Sequence, residues 1–154
     1  MKQTLVLGIG SLLMGDDAIG VRIAETLGYR DKRENIRYVS GETDVDYCMG
    51  EIRNSNDCVI IDGACTGNEP CTVQTLDLKE VLEELRPAAF FHETNLLHAM
   101  KREGLIKEGI LVAVEISSVE FSTELSEPIK RRFDELVETV SERIAAYIEE
   151  QRAL

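Results

Sequence analysis

The run Thr4–Ile9 (TLVLGI) is apolar at almost every position and closes at Gly10. That pattern belongs to a strand buried on both faces of a parallel sheet. Behind it the apolar positions change to helical spacing, with Ile19, Ile23 and Leu27 four residues apart, so a helix follows. Asp16 or Asp17 stands where a side chain caps such a helix. Ile36–Ser40 predicts a second strand and the stretch from about Val45 to Arg53 a helix. Asp57–Asp62 (DCVIID) reads as a third strand, continuous and apolar until it ends in a carboxylate. Thr72–Leu78 predicts a fourth strand, followed by a short helix to about Leu85 and a loop made of Pro87 and AAFFHE. A helix from about Thr94 to Glu103 stops at Gly104, which suits a C-terminal cap. Ile110–Ile116 is the fifth strand, and Ser126, with Glu127 and Pro128 behind it, caps a long last helix.

Strands alternating with helices predict an α/β fold, a three-layer α/β/α arrangement on a mostly parallel sheet. One connection departs from the rule. Between Asp62 and Thr72 the chain is too short for a helical crossover, which takes roughly a dozen residues or more. The fourth strand is therefore expected at an edge and antiparallel, in a five-stranded mixed sheet of order 2-1-3-5-4. Residues 1–154 suffice for one core, and neither a repeat nor a linker divides them, so a single domain is expected.

Composition narrows the function. The formal net charge of −12, with no basic stripe, argues against nucleic acid and anionic membrane surfaces as partners. No apolar run reaches the length of a transmembrane helix. The N-terminal run faintly mimics a signal peptide, but it contains Gly8, Gly10 and Gly15, meets two aspartates and lacks a small-x-small cleavage site. Cys48, Cys58, Cys65 and Cys71 show neither zinc-knuckle nor CxxC spacing. They read as reduced thiols, and the expected location is cytoplasmic.

In open α/β sheets ligands bind outside the carboxyl ends of the strands, where strand order reverses. Topology alone brings three polar residues to that edge. Asp17 lies in the loop after strand one, and Asp62 ends strand three. His92 precedes a helix feeding parallel strand five, and such a helix must begin at the carboxyl edge. Oxygen and nitrogen ligands of this kind suit zinc, nickel, manganese or iron and leave positions open. The helix N-terminus, often a phosphate site, already carries two anionic side chains that would repel a phosphate and attract a cation. Plainer readings stand beside these. Asp16 or Asp17 as an N-cap contributes about 1 kcal/mol. Asp62 can cap the turn into Gly63, and His92 can pack on Phe90 and Phe91. His98, inside a helix beside Leu97, reads as structural. Gly8-x-Gly10 lacks the third glycine of a dinucleotide fingerprint, there is no Walker lysine, and no GxSxG elbow is present. Gly10 and Gly15 instead suit a tight turn that brings backbone close to a partner.

The segment LGIGSLLMGDDAIGVRIAE resembles the GxGNxxxxD(D/E)xxG signature of the hydrogenase maturation proteases, endopeptidases that trim the C-terminal tail of [NiFe]-hydrogenase large subunits. SGETD, IIDGACTGNEPCT, FFHETNLLHAM, VEISSVEF and TELSEPI extend the resemblance, in order, over nearly the whole chain. It implies that Asp17, Asp62 and His92 are catalytic residues that contact a metal. That metal is nickel already installed in the precursor, although zinc or cadmium also suits such a site. The implied partner is the large-subunit precursor, cut after nickel insertion, with Gly41, Glu42 and Thr43 on the substrate side. Three positions depart from the family pattern. Ser11 replaces an asparagine, Glu42 interrupts a usual Gly-Gly-Thr, and Cys71 stands where glycine often follows proline. Cys65 and Cys71 lie close enough in sequence to suggest a reactive pair, although a free buried thiol is the plainer reading of Cys71. The alternative function is a non-catalytic module that binds a divalent metal or a metalloprotein. Loss of precursor processing on removal of His92 separates the two.

Overall fold

The structure, a computed structural model, describes residues 3–85 and 95–154. Five strands, β1 (Thr4–Ile9), β2 (Ile36–Glu42), β3 (Asp57–Ala64), β4 (Val73–Asp77) and β5 (Glu108–Glu115), form one sheet of order β2-β1-β3-β5-β4. Pairing is parallel throughout except that β4 runs antiparallel to β5. The short Asp62–Thr72 connection does have this consequence, because no helix fits there to carry the chain back across the sheet. From Gln74 to Asp77 the edge strand is exposed, Leu76 included.

Side-chain alternation along the central strands builds two cores. Val6, Val59, Ile61, Val112 and Val114 point to the face covered by α1 (Ile19–Arg30) and α6 (Phe133–Arg152). Leu5, Leu7, Cys58, Ile60 and Leu111 point to the opposite face. That second face packs under α2 (Val45–Arg53), α3 (Leu78–Glu84) and α4 (Asn95–Glu103). The remaining helical segment, α5 (Glu127–Arg131), is separated from α6 by Arg132, whose φ of −106° and ψ of 14° leave the helical region. The single long last helix expected from the pattern is therefore two.

Element existence agrees with the sequence pattern, and the boundaries shift modestly. β3 continues two residues past Asp62 because β5 goes on pairing with it to Ala64. β2 likewise continues to Glu42, which pairs with Ile9 across a register shift after Gly8. The expected loop of Pro87 and AAFFHE, with His92, lies outside the described residues.

Candidate active site

The expectation that Asp16 or Asp17 caps α1 is not met. Residues Gly15–Ala18 form a 3₁₀ turn, and neither that turn nor α1 receives a side-chain capping bond. The two aspartates are instead divided by direction. Asp16 is fully buried and faces inward. Its Oδ2 accepts from the backbone N–H groups of Ser117 at 3.0 Å and Ser118 at 2.9 Å and from the Ser126 hydroxyl at 2.7 Å. Its Oδ1 accepts from the Ser126 N–H at 2.7 Å. One carboxylate thus ties the first loop to the segment after β5 and to the start of α5. Ser126 does precede α5, but its hydroxyl is engaged by Asp16 and makes no cap bond.

Asp17 faces the other way. Its Oδ2 accepts from the Ser11 N–H at 2.7 Å, closing the loop on itself at the end of β1. The tight fit of this loop explains Gly10. Its φ is +135°, and a Cβ there would sit 1.8 Å from the Asp17 carbonyl oxygen. The approach that the glycines permit is thus to the chain's own backbone. Gly20 does the same for the helix, since a Cβ would lie 2.1 Å from the Ile61 carbonyl oxygen. Backbone contact therefore seats the start of α1 directly over the residue preceding Asp62.

Asp62 lies on β3, one residue beyond the last β1–β3 pair, Gly8 with Ile61. β1 connects outward to β2, and the chain then returns across β1 to β3. The two aspartates therefore occupy adjacent strand ends where the strand order reverses, the position at which α/β sheets hold ligands. The Gly63 N–H donates to Asp62 Oδ1 at 2.8 Å, so the plain turn-capping role is also present. It does not balance the surroundings. Burial, reinforced by the charge of Asp17, pushes the Asp62 carboxyl up to about 7. A proton therefore stays on the pair where an isolated aspartate would have lost it, and a cation placed there relieves the repulsion. Paired oxygen donors of this kind suit a divalent metal.

Cys65 is exposed on the loop after β3, and its thiol is raised by burial and by Glu115, Asp17 and Asp62, which places it near the same crevice. It is free, as is buried Cys71, so the two form no disulfide. Glu115, at the end of β5, accepts from both the N–H and the hydroxyl of Thr66 and so anchors that loop. The Thr66 hydroxyl holds its carboxyl below the usual range. The sequence pattern alone did not single out Glu115. An acid closing an otherwise apolar strand was the available signal.

At the end of β2 the trio Gly41, Glu42 and Thr43 divides. Gly41 is buried, and a Cβ would meet Cys48 Sγ at 2.4 Å, so its part is packing. Glu42 and Thr43 are exposed at the carboxyl edge. Glu42 has φ +50° and Cys71 φ +75°, the non-glycine residues with positive φ among those described. Both sit in a backbone region that favours glycine, so each side chain is held there at some strain. His92 lies outside the described residues, and among those described no cluster of three metal-binding side chains occurs. His98 is half-buried on α4.

Residues 21–143 match the family model described as hydrogenase maturation protease, HycI. The hydrogenase expression/formation protein HupD of Thiocapsa roseopersicina is 26% identical over 152 residues, covering 94% of this chain and 69% of its own. Among solved structures, the hydrogenase maturating endopeptidase HybD from E. coli superposes with a TM-score of 0.77 at 27% identity, covering 96% of this chain and 93% of its own. The [NiFe] hydrogenase maturation protease HycI from Thermococcus kodakarensis shares the fold, with a TM-score of 0.71 at 24% identity over 92% of this chain and 91% of its own.

Proposed function

The chain belongs to the hydrogenase maturation protease family and is an endopeptidase, and from that premise we propose that it removes the C-terminal propeptide of a [NiFe]-hydrogenase large-subunit precursor after nickel insertion. Asp17, Asp62 and His92 contact the nickel, which arrives with the substrate. The observation that carries this reading is the Asp17–Asp62 pair at the reversal of strand order, with one carboxyl raised to about 7 by burial and by the other. Such a pair accepts a cation in exchange for the proton it holds, so nickel on the precursor adds an attraction that a precursor without metal lacks. Asp62, titrating near neutrality, is also suited to move a proton during peptide hydrolysis. Glu42 and Thr43, on the same edge, contact the substrate, while Gly41 holds them in place. We place this processing in the cytoplasm, in keeping with cysteines that are free thiols among the described residues.

The test is cleavage of nickel-loaded and nickel-free precursor, followed by intact-mass spectrometry. A defined C-terminal mass loss confined to the loaded form is expected. Equal cutting of the two would remove metal-gated recognition from the account.

A further inference from the structure

Leu13, Val119 and Phe121 are large apolar side chains that stand 53%, 48% and 82% exposed. They are carried by two loops stitched side by side. The Ser122 N–H donates to the Leu13 carbonyl and the Gly15 N–H to the Ser122 carbonyl, both at 2.9 Å, and Asp16 N–H reaches the Ser118 carbonyl at 3.3 Å. Met14 and Ser122 pair as an isolated parallel bridge. The same turn presents Asp17, whose N–H donates to the Met14 carbonyl at 3.1 Å. An exposed apolar cluster on so firmly held a pair of loops marks an interaction surface.

The rim indicates what it receives. A recess of about 150 Å³ beside these loops is lined by Glu120, Glu124 and Glu127, by Ser118, Ser122 and Ser126, and by one cation, Lys130. Lys130 lies 3.7 Å from Glu124, and Asp16, also on the wall, is occupied by its internal hydrogen bonds. The lining keeps an excess of negative charge. We propose that this patch docks the protein substrate itself, through a segment that places a large apolar side chain on Leu13, Val119 and Phe121 and a basic side chain in the glutamate-lined recess. A second copy of this chain is a poor occupant, because it brings the same acidic rim and a net charge of −12. The assignment rests on the proposed protease reading, since it takes the occupant to be the polypeptide whose bond is cut near Asp17.

The experiment measures cleavage of nickel-loaded precursor over a range of concentrations. It compares the wild-type chain with Phe121→Ser, Leu13→Ser/Phe121→Ser, Glu120→Lys and, as a control, Tyr29→Ser, an equally exposed aromatic at the far end of α1. Phe121→Ser is expected to raise KM about tenfold, the double variant more, with kcat within twofold and an unchanged thermal midpoint. Glu120→Lys is expected to raise KM at low salt and to lose that effect as salt screens the rim. Unchanged KM in the Phe121 variants overturns the docking surface. So does a wild-type dimer that Phe121→Ser splits without altering KM, which assigns the patch to self-association. Asp62→Asn, run in parallel, separates the two proposals. If it cuts normally the site reading fails, whereas a dead Asp62→Asn beside an unaffected Phe121→Ser removes only the patch.

Discussion

Replacing Asp62 by Asn should stabilise this protein while abolishing its activity, and the gain should grow with pH. The carboxyl ionises with a pKa of about 7 in the folded chain against 3.8 for an unperturbed aspartate. The folded state therefore holds a proton that the unfolded chain has released between those values. Because the unfolded chain binds fewer protons there, stability falls as pH rises from about 4 to about 7 and stays lowered above. The full shift corresponds to roughly 4 kcal/mol at pH 8, and the partial solvent access of Asp62 reduces this to about 2 kcal/mol. Asparagine has the same shape, keeps an acceptor for the Gly63 N–H and carries no charge, so the variant avoids that penalty. For a chain of this size the gain is about 4–8 °C in thermal midpoint at pH 8, shrinking to a degree or two near pH 4. Thermal unfolding of both proteins in a metal chelator, at pH 4, 6 and 8, measures it. A difference that does not change with pH, or a variant less stable than the wild type at pH 8, would refute the electrostatic account of the pair.

Asp16→Ala removes the acceptor of three backbone N–H groups and a hydroxyl inside the fold and should cost about 3–5 kcal/mol, read as a lower midpoint in urea unfolding. Glu42→Gly places the residue suited to a φ of +50° and should raise stability by about 0.5–1 kcal/mol, checked in the same way. Gly10→Ala, with its Cβ 1.8 Å from the Asp17 carbonyl oxygen, should yield little folded protein, seen as loss of near-UV circular dichroism. In the native chain a thiol reagent should modify Cys65 first. Burial pushes Cys48 up to about 11 and Cys58 up to about 12, and Cys71 is also buried, so peptide mapping should find these three unmodified until the chain unfolds.

The placement of Asp17 and Asp62 at one sheet edge was legible because their elements announce themselves locally. Asp17 and Asp62 each follow an apolar run, and knowing that the strands are parallel is enough to send both to one edge. The misjudged residue was Asp16. As a neighbour of Asp17 it looked like an interchangeable cap. Its partners, Ser117, Ser118 and Ser126, lie 101 to 110 residues away, and no local pattern reveals them. Glu42 and Cys71 carried a usable signal, the replacement of a glycine, but the positive φ that makes it matter is visible only in the backbone. Phe121 sits in a loop rich in serine and glutamate, and its exposure could not be separated from burial by sequence.

The order of apolar runs and the brevity of one connection sufficed to determine the α/β layering, the strand order and the antiparallel edge, because periodicity and loop length are local properties with few topological solutions. Tertiary structure alone decided which of two adjacent aspartates turns inward and which outward. A carboxylate's role is set by the donors that reach it and by the dielectric around it, and both are contributed by segments remote in the chain. The same holds for Asp62, whose carboxyl is an ordinary acid in the unfolded chain and is moved toward neutrality by burial in the folded crevice, with the charge of Asp17 adding to it.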